Sequence, residues 1–235
     1  MGFKVGVCGL NFGERFVAFL QRHPLVSGVS LADADEKRLT LAARRNAVRD
    51  THRSFEELLA SDVDAVGVFT QRWLHAPQVV QALRAGKHVL CAVPAAVTVE
   101  EMQQVVEAVQ ETGLTFMLCE TSYYYPAALY CRDRFRRGDF GRFVFGEAEY
   151  LHDMSHRFYD AYRDSNGPDW KRYASFPPML YPTHSVSMIL SVTGARMTSV
   201  SCLGQRDAAD DGVFREDVSL WGNAFSNQTA LFRTS

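Results

Sequence analysis

Short apolar runs alternate with helix-period segments through the first half of the chain. Phe3 to Cys8 is a run of β type, followed by a glycine-rich turn, and Glu14 to Arg22 then places Phe16, Val17, Phe19 and Leu20 on one helical face. Val29 to Ala32 predicts a second strand ending at Asp33, and Glu36 to Arg44 a helix. Ala65 to Phe69 reads as a third strand, Ala76 to Ala85 as a helix closed by Gly86, and His88 to Cys91 as a fourth strand. Val99 to Thr112 predicts a helix closed by Gly113, and Thr115 to Cys119 a fifth strand. Strands joined through helices by connections this short run parallel with right-handed crossovers, which makes a doubly wound α/β sheet.

The pattern changes after about Ser122. Pro126 to Arg137 predicts a helix ending at Gly138, and Arg142 to Leu151 alternates (Phe143, Phe145, Ala148, Tyr150) as a half-exposed antiparallel strand would. Asp164 to Pro178, rich in Pro, Asp and Asn, reads as loop, and Thr183 to Thr193 as a helix stopped by Gly194. Met197 to Leu203, Val218 to Asn223 and Thr229 to Phe232 read as strands, with Phe225 to Gln228 as a hairpin turn. The expectation is two domains, 1–122 with the parallel sheet and 123–235 as an α+β unit with a mostly antiparallel open sheet. The return strand after Gln228 has hardly begun when the sequence stops, which leaves a sheet edge of the kind folds normally cover. The second domain is therefore expected to be incomplete, completed by further chain or by another subunit.

Composition narrows the function classes. Lys and Arg number 25 against 27 Asp and Glu, a net charge of −2, which argues against bulk attraction to nucleic acid and against a polybasic membrane anchor. Apolar stretches break well short of the roughly 20 residues a membrane-spanning helix needs. The first ten residues read as a strand rather than a signal peptide, so a cytoplasmic location is the default expectation. Five scattered cysteines (Cys8, Cys91, Cys119, Cys131, Cys202) show no metal-knuckle spacing and read as reduced core residues.

The turn after the first strand carries the first chemistry. In Gly9-Leu10-Asn11-Phe12-Gly13, Gly9 can be the strand-to-helix pivot and Gly13 a close-packing position, with the helix N-terminus offering N–H donors to a pyrophosphate. The middle position is Asn11, which tolerates positive φ but puts a side chain where phosphate would sit. Asp33 follows about 20 residues later, where a carboxylate would hydrogen-bond the adenosine ribose and repel the 2′-phosphate of NADP. NAD is thus the expected cofactor, with NADP admitted by Lys37 and Arg38 nearby; the alternative for Asp33 is a helix cap.

Cys8-Gly9-Leu10-Asn11-Phe12-Gly13, Ala32-Asp33, Phe69-Thr70, Leu74-His75-Ala76 and Ala85-Gly86-Lys87-His88-Val89-Leu90-Cys91 together resemble the Gfo/Idh/MocA oxidoreductases. The resemblance implies an N-terminal Rossmann domain, a C-terminal open sheet forming a substrate site and often an oligomer interface, and a sugar-like small-molecule substrate. It implies that Thr70, His75 and Pro94 flank the nicotinamide. The family's Glu-Lys-Pro triplet stands here as Ala92-Val93-Pro94, so its lysine is replaced by a side chain that moves no proton. Of the family's Asp-x-Gly-x-His run only the histidine remains, in Leu180-Tyr181-Pro182-Thr183-His184. That leaves His184, facing a cleft at a helix start, as the acid/base candidate, with a helix-capping histidine as the alternative. Tyr181 and Lys171 are candidate substitutes for the lysine, though each also reads as packing or surface.

His152 and His156 are four apart but follow a strand with no third ligand, so a metal site is not expected; lining a polar pocket fits better. Tyr123-Tyr124-Tyr125 could stack a sugar ring or pack between domains. The leading expectation is an NAD(P)-dependent oxidoreductase acting on a sugar or polyol with altered catalytic residues. Redox-neutral glycoside cleavage, in which a hydride is taken and returned, is a variant of it. The competing expectation is a nucleotide-binding sensor or interaction protein that kept the fold and lost the lysine.

Overall fold

Three central strands bury both faces, and their sequences show it. In the computed structural model, which describes residues 2–154 and 158–235, β1 (Phe3–Cys8), β4 (Ala65–Val68) and β5 (His88–Cys91) end in near-continuous apolar runs covered by helices on either side. They sit within a six-stranded parallel sheet completed by β2 (Val26–Ala32), β3 (Thr51–His52) and β6 (Phe116–Leu118), in the order β3-β2-β1-β4-β5-β6. The connecting helices are α1 (Leu10–Arg22), α2 (Glu36–Arg45), α3 (Phe55–Ala60), α4 (Arg72–Arg84) and α5 (Val99–Thr112). Since β2 and β4 flank β1 on opposite sides, the strand order reverses at the C-terminal end of β1, where Gly9 begins the turn. Cys8 and Cys91 lie in this core, and burial pushes both thiols up to about 12. They are packing residues, as the sequence implies.

Contacts divide the chain into Met1–Cys119 and Glu120–Ser235. The second unit contains α6 (Pro126–Arg136), α7 (Phe158–Asn166), α8 (Trp170–Ala174), α9 (Thr183–Thr193) and the antiparallel pair β7 (Met197–Arg206) and β8 (Phe225–Thr234). No helix among the described residues is long and apolar enough to cross a membrane.

Several elements depart from the sequence reading. Helix α1 starts at Leu10 rather than Glu14, which puts Asn11 and Phe12 in its first turn. The segment before β4 holds a two-residue strand and a short helix; Ser54 caps α3 by accepting from the Glu57 amide, while Glu57 accepts from Arg53. Arg142 to Leu151 makes no ladder with any described strand, and Val144, Phe145 and Leu151 stay exposed. The region read as loop over 164–178 is largely helical. Tyr162, Ala174 and Val213 form a small core there with Tyr159, Trp170, Tyr173 and Phe176 against it, and Gly167-Pro168 only divides two helices. Val218 to Asn223 is a series of turns rather than a strand, with the Leu220 amide donating to the Arg172 carbonyl and Gly222 at φ 62°. Phe225 to Gln228 is not a turn but the start of β8: Phe225 pairs with Arg206, and its ring lies over Gly204, where a Cβ would come within 2.5 Å of it.

Candidate functional site

One candidate site is the turn leaving β1 in the first unit. Gly9 sits at φ 89°, ψ 77°, and a Cβ there would lie 2.4 Å from the Phe69 carbonyl oxygen, so only glycine fits. A Cβ on Gly13 would lie 2.8 Å from Phe69 Cδ2 and 2.9 Å from Val7 Cγ1, which lets α1 approach the sheet closely. Asn11 is helical and needs no positive φ, so the middle position of the motif makes no demand for glycine on backbone grounds. Helix geometry leaves the first amides of α1 without partners inside the helix. Leu10 gives its N–H to Asp33 Oδ2 at 2.8 Å, and the Gly13 amide reaches the Gly9 carbonyl. The amides of exposed Asn11 and Phe12 therefore remain as donors for an anion at a helix N-terminus. This turn fits a dinucleotide pyrophosphate.

Asp33 is buried at the end of β2. It accepts from the amides of Leu10 and Asp35 and pairs with Arg38, whereas the cap of α2 is Asp35, which accepts from the Arg38 amide. Thr70 is half-buried and donates its hydroxyl to Gln78 Oε1 at 2.5 Å. His75 is 2% exposed, with Nδ1 at 2.7 Å from the Pro94 carbonyl and Nε2 at 3.0 Å from the Thr70 carbonyl. It thus ties the loop after β4 to the loop after β5 rather than presenting its ring at a surface. Val93 precedes a cis bond to buried Pro94.

A separate candidate cluster lies in the second unit, around His184. His184 is the second residue of α9 and is buried, as are Ser187 and Ser191 along the same helix. Its Nδ1 lies 2.7 Å from Oε1 of Glu120, which is also buried. Glu120 caps the 3-10 turn Thr121–Tyr124 by accepting from the Ser122 amide at 2.8 Å. Burial alone would raise its carboxyl, but the hydrogen bonds with His184 and the Ser122 amide, with Thr183 beside it, hold it below the usual carboxylate value. An ionised Glu120 accepts only, so His184 Nδ1 carries a proton and Nε2 is left as the basic nitrogen. The Ser122 hydroxyl stands 3.4 Å from the same Nδ1.

Two tyrosines complete the cluster. The ring of Tyr150 lies 4.5 Å from that of His184, and the ring of Tyr181 4.9 Å from it. Burial pushes the Tyr150 phenol up, partly offset by a hydrogen bond with Tyr181. Of the residues singled out in the second unit, the structure brings His184 and Tyr181 together. Lys171 is elsewhere, donating Nζ to the Asp211 carbonyl at 2.7 Å and lying beside the Trp170 ring. His152 packs edge-on against Tyr150, while His156 lies outside the described residues. Among the described residues no group of His, Cys, Asp and Glu could hold a metal. Tyr123 packs against Tyr124 and beneath the Arg132 guanidinium.

Residues 3–119 match the model of the oxidoreductase family with the NAD-binding Rossmann fold, Gfo/Idh/MocA. The chain belongs to that family. As a Gfo/Idh/MocA chain it is 29% identical over 199 residues to glycosyl hydrolase family 109 protein 2 of Shewanella sp. strain ANA-3, an alignment covering 79% of this chain and 43% of that protein. The chain thus spans about half the length of such curated relatives. Among solved structures it resembles myo-inositol 2-dehydrogenase of Lactobacillus plantarum at a TM-score of 0.76 and 16% identity, covering 100% of this chain and 67% of that one. It also resembles the WlbA dehydrogenase of Chromobacterium violaceum, solved with NADH and UDP-GlcNAcA, at a TM-score of 0.77 and 18% identity, covering 99% and 64%. These likenesses establish the fold of a family whose first domain binds NAD.

Glu120 and Tyr150 are the cluster members that the sequence does not point to. Glu120 follows a short strand 64 residues before His184, with no local spacing linking the two. Its one available signal was its place just after a strand of the parallel sheet, where ligands of such folds gather.

Proposed function

We propose that this chain acts as an NAD(P)-dependent oxidoreductase on a sugar or polyol, with the Glu120–His184 pair handling the proton that the family's lysine would handle. The supporting observation is the 2.7 Å contact between a buried histidine and a carboxylate that fixes its tautomer, with two tyrosine rings against it. When bound, the nicotinamide supplies the acceptor for hydrogen leaving a carbinol carbon as hydride. The hydroxyl proton of that carbinol then needs a base, and Nε2 of His184 is the basic nitrogen this arrangement provides. Glu120 stabilises the imidazolium that forms, without itself taking the proton. General acid–base help of this kind is worth about 10²–10⁴-fold. Tyr150 and Tyr181 offer flat apolar faces suited to a sugar ring and hydroxyls suited to its oxygens. Asn11 and Phe12 amides would hold the pyrophosphate, with Gly9 and Gly13 shaping the turn.

The glycosyl hydrolase name of the curated relatives favours a second form of the same reading. In it the hydride is returned at the end of the cycle, and a glycosidic bond is cleaved without net redox change. Incubation with NAD⁺ and a panel of free polyols, sugars and para-nitrophenyl glycosides separates the two. Stoichiometric NADH from a free sugar supports the dehydrogenase; NAD⁺-dependent nitrophenol release without accumulated NADH supports cleavage. NADH binding with turnover of no member of a broad panel would instead favour a nucleotide-binding role without catalysis.

A further inference from the structure

Helix α9 carries five hydroxyls, on Thr183, Ser185, Ser187, Ser191 and Thr193. Three of them have partners. Ser185 and Thr193 donate to the carbonyls of Pro182 and Ile189 at 2.9 Å, the back-bond usual for such residues in a helix, and Ser191 donates to the Tyr123 carbonyl at 2.8 Å. The Thr183 and Ser187 oxygens are buried and have no hydrogen-bond partner among the described residues. The same holds for Oε2 of Glu120, and both Glu120 and Ser187 are only 6% exposed.

The helix register gathers these groups round one carboxylate. His184, Ser187 and Ser191 share the face of α9 that meets the turn Thr121–Tyr124, with the Ser122 hydroxyl by His184 and the Tyr123 carbonyl by Ser191. Ser187 falls between them. Thr183 stands beside the Glu120 carboxyl and one turn from Ser187, a spacing that leaves Cβ atoms about 5–6 Å apart. An ionised carboxylate has about four acceptor positions, and here only Oε1 is used, by His184 and the Ser122 amide. A buried charged oxygen without a donor favours taking up a proton, which would move the His184 proton from Nδ1 to Nε2 and remove the base. Two spare hydroxyls and an oxygen in need of a donor are complementary through one water, since buried waters typically make about three hydrogen bonds to groups that otherwise lack partners.

We propose that Thr183 and Ser187 hold one buried water against Oε2 of Glu120, and that the two are positioning residues which keep Glu120 an acceptor toward His184. The catalytic consequence rests on the reading of His184 as the base; the water site itself does not. The other titratable groups facing the pair are Tyr181, from the turn before α9, and Tyr150, which also packs against His152, while Arg132 of α6 reaches Ser191 at 3.3 Å. Substitutions at Thr183 and Ser187 leave all of these in place.

Carboxyl ¹³C NMR of the full chain tests the proposal by following the titration of Glu120 in wild type, Thr183→Val, Thr183→Ser and Ser187→Ala, with circular dichroism confirming that each is folded. Thr183→Val and Ser187→Ala should each raise the Glu120 midpoint by about one pH unit, as loss of a donor to a carboxylate implies. Thr183→Ser, which keeps the hydroxyl, should titrate close to wild type. A role in packing alone would change stability and leave the midpoint where it is. Unchanged midpoints in Thr183→Val and Ser187→Ala would overturn the proposal, and Ser187→Ala decides if the valine variant does not fold. A high-resolution crystal structure should show a water in hydrogen-bond contact with Oε2 and both hydroxyls; a direct protein donor on Oε2 in its place would also overturn it. Raised midpoints in a protein that turns over no substrate would sustain this inference and overturn only the reading of His184 as a base.

Discussion

His184 and Glu120 meet through a 2.7 Å hydrogen bond in a buried setting, although 64 residues separate them. Val93 stands where the resemblance places a lysine, and the proposed function gives that lysine's proton-handling role to this pair.

The pair makes a prediction in two readouts. Glu120→Gln keeps the shape but loses the charge that stabilises an imidazolium, and should lower kcat by at least about tenfold with little effect on KM. Glu120 is held below its ordinary value of 4.5, so its contribution to stability is present above that pH and fades as pH falls through the lower folded value. Denaturant unfolding of wild type should therefore weaken at acidic pH by more than that of Glu120→Gln.

His75 should show a different pH window. Burial lowers its pKa from 6.5 despite the carbonyls of Pro94 and Thr70, so the folded protein holds it neutral. A depressed histidine stabilises the fold above its unfolded pKa and loses that contribution as pH falls below about 6.5. His75→Ala should cost about 2–4 kcal/mol, from a cavity and two stranded carbonyls, and should flatten the stability profile between neutral pH and the range where carboxylates titrate. Unfolding midpoints across that range check both statements.

Two glycines with similar backbones should respond differently to alanine. Gly9 and Gly86 both have positive φ, 89° and 80°, but a Cβ on Gly86 meets nothing within 4 Å while one on Gly9 strikes the Phe69 carbonyl. Gly86→Ala should cost about 1 kcal/mol, the left-handed penalty alone. Gly9→Ala should cost clearly more and abolish nucleotide binding, as denaturation and NADH titration would show.

Lys87 belongs to the segment most specific to the family, yet its role here is structural. Its Nζ donates to the carbonyls of Ser61 and Val63, at 3.1 and 2.7 Å, just past the end of α3. Lys87→Met should lower stability by about 1–3 kcal/mol, through carbonyls left without a charged donor, and leave KM for the nucleotide unchanged. Thermal melting and steady-state kinetics together test it.

What the sequence revealed and what it hid have physical causes. Helices α5 and α9 match the periodic segments end to end, because each has an apolar stripe and a glycine in the left-handed conformation to stop it. Helix α3 is not legible in the periodicity, although Ser54 and Glu57 form a capping pair, because six residues are too few to show a period. Helix α7 was hidden by its polar composition, its buried face being carried by aromatics such as Tyr162. The nucleotide turn was legible, since its contacts are local and its glycines obligatory. The His184 cluster was half legible: Tyr181 lies three residues away in sequence, but Glu120 and Tyr150 arrive only through folding.

The most direct test follows hydride transfer in the first turnover by stopped-flow nicotinamide absorbance, comparing wild type with His184→Gln on whichever substrate the panel identifies. The account predicts a rate lowered by about 10²–10⁴-fold with the Kd for NADH within about twofold of wild type. Transfer at the wild-type rate in His184→Gln would contradict it.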